Sequence, residues 1–205
     1  MTKSYLALGD SYTIGEAVSQ DQSFPYQLVA KLNLAGFKMS DPEIIATTGW
    51  TTDELIKAIR EKNIQDKFDL VTLLIGVNNQ YRGYSKENYR TEFKELLQTA
   101  LFYADNHRER VVVISIPDWG VTPFAHKANR ELEKISAEID AFNAVNKEES
   151  LKAGVTYLDI TPGSRKAETD LSLLAEDGLH PSGKMYAEWV EKLINLIGKN
   201  ISFRI

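Results

Sequence analysis

The residues of this chain that could do chemistry lie in two places far apart in sequence. Near the start, Leu8-Gly9-Asp10-Ser11-Tyr12 follows the apolar run Tyr5-Leu6-Ala7-Leu8. Near the end, Asp177-Gly178-Leu179-His180-Pro181 sets an acid and an imidazole three residues apart. A buried strand that runs into a tight turn and presents a serine supplies a nucleophile. An imidazole beside a carboxylate supplies a base and the group that orients it. These are the parts of an activated-nucleophile site. Taken singly, Gly-Asp-Ser is also an ordinary turn whose serine caps the next segment, and Asp-x-x-His is also a solvated loop. The chemistry therefore depends on a fold that joins them.

The elements that must do this read clearly. Strands are predicted at Ser4–Leu8, Glu43–Ala46, Leu70–Ile75, Val111–Ile116 and Val155–Ile160. They are short, mostly unalternated apolar runs, as expected of strands buried on both faces. Helical patterns fill the gaps. One covers Pro25–Ala35 and another opens at Thr52, with Asp53 and Glu54 in its first turn, where the helix dipole favours acids. A third follows Ser85 and carries the apolar stripe Tyr89, Phe93, Leu96, Leu97, Ala100 and Leu101. A fourth is predicted over about Lys127–Lys147, through Ala128, Leu132, Ile135, Ile139 and Phe142. The last begins at Pro181-Ser182-Gly183 and carries Met185, Trp189, Leu193, Ile194 and Ile197. Alternating strands and helices predict an α/β fold, a three-layer doubly wound sandwich. Its five-stranded parallel sheet takes the flavodoxin-like order 2-1-3-4-5.

Composition narrows the classes. With 205 residues, the chain fits a single domain over 1–205. A net charge of -5 and the absence of any basic stripe argue against nucleic-acid binding; Lys192–Arg204 is only sparsely basic. No cysteine is present, which removes disulfides, thiolate metal sites and cysteine nucleophiles. Three scattered histidines predict no metal site and no cofactor. No signal peptide or membrane span is visible, so a cytoplasmic protein is expected. The glycines from Gly9 to Gly15 match neither phosphate-loop fingerprint.

In open parallel sheets, ligands bind beyond the carboxyl ends of the strands. There the sequence offers Gly9-Asp10-Ser11, Thr47-Thr48-Gly49-Trp50, Gly76-Val77-Asn78-Asn79 and Pro117-Asp118-Trp119, and then the long loop to Asp177 and His180. Four of these pieces in order, Gly9-Asp10-Ser11, Gly49, Gly76-x-Asn78 and Asp177-x-x-His180, resemble the SGNH hydrolases, also called the GDSL esterase/lipase family. The resemblance runs from residue 5 to about residue 190. It implies that Ser11 is the nucleophile, His180 the general base and Asp177 the residue that holds the imidazole. It also implies an oxyanion hole made by the N–H groups of Ser11 and Gly49 and the side-chain amide of Asn78. Fixed donors of this kind supply about 3–4 kcal/mol each to a developing oxyanion. Glycine suits position 49 because no Cβ blocks approach of the backbone to substrate.

The chain departs from that pattern at Tyr12, where the family name has leucine. It departs again at Asn79, where many members carry aspartate, which leaves the hydrogen bonding of that loop open. Asp10, beside the nucleophile, is expected to be structural and to accept backbone N–H bonds in the turn. Trp50, Tyr81, Trp119 and Phe124, with Tyr84 and Val121, are candidates for the substrate pocket, and Arg82 and His126 for orienting a polar group. The segment Ile116–Phe124 is expected to form a pocket wall. The implied activity is that of a carboxylic ester hydrolase acting on small-molecule acyl esters through an acyl-enzyme. A carbohydrate O-deacetylase and a catalytically silent acyl-binding module on the same fold remain alternatives. Acyl length and oligomeric state are not legible.

Overall fold

The carboxyl edge of one parallel sheet gathers the segments just named. The structure is a computed structural model that describes residues 2–128 and 130–200, with side chains to residue 197. Residues 201–205, which end the sparse basic stretch, lie outside the described residues. The strands are β1 (Tyr5–Gly9), β2 (Glu43–Ala46), β3 (Leu70–Leu74), β4 (Val111–Ile114) and β5 (Thr156–Leu158). All pair in parallel, in the order β2-β1-β3-β4-β5 that the sequence predicts. Every residue of β1, β3 and β4 is buried, which is why these strands read as unbroken apolar runs. The edge strands β2 and β5 are partly exposed.

Three of the strands end before their apolar runs do, and side chains take over backbone groups there: Ser115 Oγ accepts the Ile160 N–H past β5 at 2.8 Å, and helix side chains serve β3 and β4. Asn143 accepts the Ile116 N–H at 2.8 Å and donates to the Ile116 carbonyl at 2.9 Å. The Tyr89 hydroxyl donates to the Ile75 carbonyl at 3.0 Å. Buried backbone polar groups need partners, and these lie outside the ladder.

The α-helices are α1 (Ser11–Ile14), α2 (Phe24–Leu34), α3 (Thr52–Lys62), α4 (Val77–Tyr81), α5 (Lys86–Tyr103), α6 (Pro123–Lys127), α7 (Leu132–Ala153), α8 (Thr161–Ser164) and α9 (Gly183–Asn200). Helix α2 packs on α9, while α3, α5 and α7 pack in succession, so the two groups cover the two faces of the sheet. The predicted stripe of α5 is buried throughout, as are Met185, Trp189, Leu193 and Ile197 of α9. Ser85 caps α5, its hydroxyl accepting the Asn88 N–H at 3.2 Å.

One expectation fails. The single helix over Lys127–Lys147 is two helices. Thr122 caps a short α6 that opens with Pro123, its hydroxyl accepting the Ala125 N–H at 3.3 Å. The chain then leaves the helical path, Arg130 reaches back to the Tyr81 carbonyl at 2.8 Å, and α7 starts at Leu132. Apolar spacing alone ran through this break, and α7 continues to Ala153 because Val145, Asn146, Glu149 and Ser150 are still buried.

Candidate active site

Strand register brings the motifs level. Gly9 pairs with Ala46 of β2 and with Leu74 of β3. Ser11, Gly49 and Asn78 follow these three partners by two, three and four residues. They meet at a cavity of about 220 Å³ that His180 also lines. Tyr12, Val77, Tyr81, Trp119, Phe124 and Leu179 make most of its remaining wall, with Thr48 at the Gly49 side.

Ser11 is the first residue of α1 and is buried. The turn before it requires glycine: a Cβ on Gly9 would lie 2.4 Å from the Leu74 carbonyl oxygen. Asp10 caps α1, with Oδ1 accepting the Tyr12 N–H at 3.1 Å. Complete burial pushes its carboxyl from 3.8 up to about 7, although backbone N–H groups of Tyr12 and Gly76 oppose the shift. No charged partner drives the rise. Asp10 thus takes the structural place expected of it.

His180 arrives from the far end of the chain on a closed loop. The Ala175 N–H donates to the His180 carbonyl at 2.8 Å, and the Ser182 N–H to the Leu173 carbonyl at 2.8 Å. Leu174 and Pro181 form an isolated antiparallel bridge. Within the loop, Asp177 Oδ2 lies 2.6 Å from His180 Nδ1. Its Oδ1 accepts the N–H groups of Leu179 and His180 at 2.9 and 3.0 Å. Partial burial works to raise the Asp177 carboxyl, but these three hydrogen bonds outweigh it and hold the group below its ordinary value. With Nδ1 engaged by Asp177, Nε2 is the ring nitrogen left to meet another group. The Tyr12 ring meets the imidazole edge-on, with centroids 5.7 Å apart.

On the opposite side, Gly49 has φ +86, and an added Cβ would meet only Arg82 Nη2, at 3.8 Å. The positive φ is a conformation that favours glycine, and the space beside it is open. Asn78 Nδ2 donates to the Trp50 carbonyl at 2.9 Å, which orients the amide and leaves its second hydrogen available. Asn79 is fully buried and hydrogen-bonded at both ends of its amide. Its Oδ1 accepts the Thr52 N–H at 3.0 Å and its Nδ2 donates to Thr52 Oγ1 at 2.6 Å. The Thr52 hydroxyl in turn donates to the Glu92 carboxylate. The uncharged residue at 79 thus ties its loop to the start of α3, and the negative charge sits one hydrogen bond further on.

The 116–124 segment does form a wall. Trp119 Nε1 donates to Gln80 Oε1 at 2.8 Å, and Gln80 Nε2 to Glu138 at 2.7 Å. Tyr81 and Phe124 pack edge-on against Trp119, at 5.5 and 6.1 Å between centroids. Buried Asp118 accepts the Gly120 N–H and pairs with Arg165, each at 2.8 Å. Trp50, by contrast, lies outside the cavity lining. Its ring packs partly buried against the core, and its carbonyl is what meets the site. Tyr84 also lies outside the lining, and Val121 and His126 edge a separate groove. The lining residues that the sequence reading missed, Tyr12, Thr48, Val77 and Leu179, all adjoin motif residues. Adjacency to a motif was their only signal.

Among the described residues, no group of three or more His, Cys, Asp or Glu could hold a metal ion, and no helix is long and apolar enough to cross a membrane.

The fold recurs among solved structures. A lipolytic G-D-S-L family protein from Veillonella parvula DSM 2008 superposes with a TM-score of 0.72 at 13% identity, over 100% of both chains. A lipase/acylhydrolase from Enterococcus faecalis gives 0.70 at 20% identity, over 96% of each chain. Axe2, an acetylxylan esterase from Geobacillus stearothermophilus, gives 0.74 at 17% identity, over 96% of this chain and 94% of that one. No curated protein matches the sequence. The family model described as the GDSL-like Lipase/Acylhydrolase family matches residues 7–188, from the strand before the serine to beyond the histidine. With so much of its length matched, the chain belongs to that family of ester hydrolases.

Proposed function

We propose that this chain is a serine esterase that cleaves small carboxylic esters through an acyl-enzyme. One observation carries the reading: an imidazole held by Asp177 shares a single small cavity with Ser11, Gly49 and Asn78. His180 Nε2 takes the Ser11 proton as Oγ attacks the ester carbonyl carbon. The carbonyl π electrons move onto oxygen, where the N–H groups of Ser11 and Gly49 and the Asn78 amide receive the charge. Collapse of the tetrahedral species expels the alcohol, which leaves with the proton from His180. Water then repeats the sequence on the acyl-enzyme, releasing the acid and restoring Ser11. Asp177 stays ionised throughout and stabilises the imidazolium. The base must be neutral to act, so turnover rises with pH on the acid side.

Apart from Thr48 and the Tyr12 and Tyr81 hydroxyls, the polar groups of the lining residues belong to this machinery, and the rest is aromatic and aliphatic. That supports a short, apolar acyl group. A second reading, removal of an O-acyl group from a sugar, draws support from a groove of about 450 Å³ that meets the cavity at Tyr81. Arg82, Arg130, Glu131 and Lys134 edge this groove and suit a polar alcohol outside the acyl pocket. Rates on acetylated sugars against acyl esters of rising chain length separate the two.

The test of the main reading is Ser11→Ala with p-nitrophenyl acetate. Turnover should fall by at least about 10³-fold while the thermal melt is unchanged. Undiminished turnover in a clean preparation of the variant would sink the assignment, and failure of a fluorophosphonate to label Ser11 would favour a silent acyl-binding module.

A further inference from the structure

The backbone beside Gly49 is gripped residue by residue. The Thr48 hydroxyl donates to the Glu16 carboxylate. The Gly49 carbonyl accepts Arg82 Nη2 at 2.7 Å. The Trp50 carbonyl accepts Asn78 Nδ2 at 2.9 Å. The Thr51 N–H donates to Glu54 Oε2 at 2.9 Å, and the Thr52 N–H to Asn79 Oδ1 at 3.0 Å. Asn78 and Arg82 stand four residues apart, at the second residue and the C-cap of α4, so one helical face takes hold of two successive carbonyls. Glu54 closes the clamp, pairing with Arg82 at 3.3 Å while it caps α3.

We infer that Arg82 is a positioning residue for the oxyanion hole. The inference rests on the acyl-transfer reading and adds a part to it. Gly49 is the weak point of the loop, because glycine has the widest backbone freedom and no side chain by which to be held. Its flanking groups can be fixed only through its own peptides. Glu16 holds the residue before it, and Arg82 holds its carbonyl with a charge-assisted bond. Arg82 is absent from the cavity lining and meets the oxyanion hole through its bond to the Gly49 carbonyl. Without the guanidinium the Gly49 carbonyl can turn to water, and the N–H one peptide earlier loses its aim at the developing oxyanion. An oxyanion donor works because it is aimed before the charge appears. A loosened donor should therefore cost turnover more than binding.

The experiment compares the whole chain with Arg82→Ala, Arg82→Lys and Lys57→Ala on p-nitrophenyl acetate, with thermal melts alongside. Removing a donor outright costs about 10²–10³ in kcat, so loosening one should cost about tenfold, with KM within about twofold. Arg82→Lys should recover part of that loss, as should millimolar guanidinium added to Arg82→Ala. Lys57→Ala removes a positive charge from the exposed face of α3, where it pairs with Glu61 away from the site, and should change kcat by less than about twofold. Three outcomes overturn the inference: an Arg82→Ala kcat within about twofold of the parent, a loss confined to KM, or an equal loss in Lys57→Ala. If Arg82→Ala does not fold, Arg82→Lys carries the same test, and a parent-like kcat with no charge-assisted bond to Gly49 in its crystal structure overturns the inference. A parent chain that does not hydrolyse the ester overturns the acyl-transfer reading, and the positioning role with it.

Discussion

The two sides of the site are built in opposite ways. On the base side the bonds that hold the catalytic pair are local: Asp177 reaches Leu179 and His180, the loop closes on itself between Leu173 and Ser182, and one longer tie runs from the Phe124 N–H to the Gly178 carbonyl at 3.1 Å. On the donor side, the partners of Thr48, Gly49, Trp50 and Thr52 lie 27 to 33 residues away in sequence. The difference follows from the two tasks. An imidazole needs one tautomer and one neighbour, which a short loop can supply. Donors for a transient charge must be fixed before it forms, and three elements at a sheet edge can fix them only through contacts between those elements.

The comparison is tested first at Asp177. Asp177→Asn keeps the shape of the loop but offers the ring a different hydrogen-bond pattern, so turnover should fall about 10⁴-fold, as in serine proteases with this change. Its contacts are local and its side chain is 35% exposed, so the thermal melt should move by only a few degrees. A collapse of the melt would show that the base loop is part of the core, and the contrast between the two sides would be lost.

What the sequence made legible follows the same division. Asp177-x-x-His180 could be read because both partners sit inside one motif. The sheet order could be read because buried parallel strands advertise themselves as apolar runs. The Arg82 bond to the Gly49 carbonyl and the Asn79–Thr52–Glu92 chain could not, because nothing in a local window pairs residues so far apart. Trp50 was placed in the pocket because aromatic residues after strand ends often line one, yet its carbonyl is what meets the site. The break between α6 and α7 was hidden because apolar spacing continues across it.

Asn78 probes the donor side directly. Asn78→Ala removes an oxyanion donor and releases the Trp50 carbonyl, and should cost about 10²–10³ in kcat with a small change in KM. Asn78→Asp should cost at least as much, since a carboxylate cannot donate and would place negative charge beside the oxyanion. Steady-state kinetics on one ester measure both. A KM effect that exceeds the kcat effect would mean that Asn78 binds the ground state, and the donor side would no longer be the preorganised half.

The smallest effect on turnover, and the sharpest on stability, is expected at Asp10, the buried acid beneath both sides. Asp177 and Asp10 are shifted in opposite directions, the first downward by its hydrogen bonds and the second upward to about 7 by burial. Stability drawn from Asp177 is present above its unfolded value and is lost as pH falls through the lower folded one. For Asp10 the sign reverses. Between 3.8 and about 7 the folded chain keeps a proton that the unfolded chain has released, so Asp10 lowers stability as pH rises through that window. Asp10→Asn retains an oxygen to accept the Tyr12 N–H and cannot ionise. Urea unfolding at pH 5 and pH 8 should show the variant gaining on the parent as pH rises, by on the order of 2–4 kcal/mol, with kcat within a few-fold. Asp177 is ionised in both states across that interval, so it cannot produce the gain. An equal gap at the two pH values would mean that the buried acid is solvated well enough to ionise freely, and that the floor under Ser11 is looser than the clamp around Gly49.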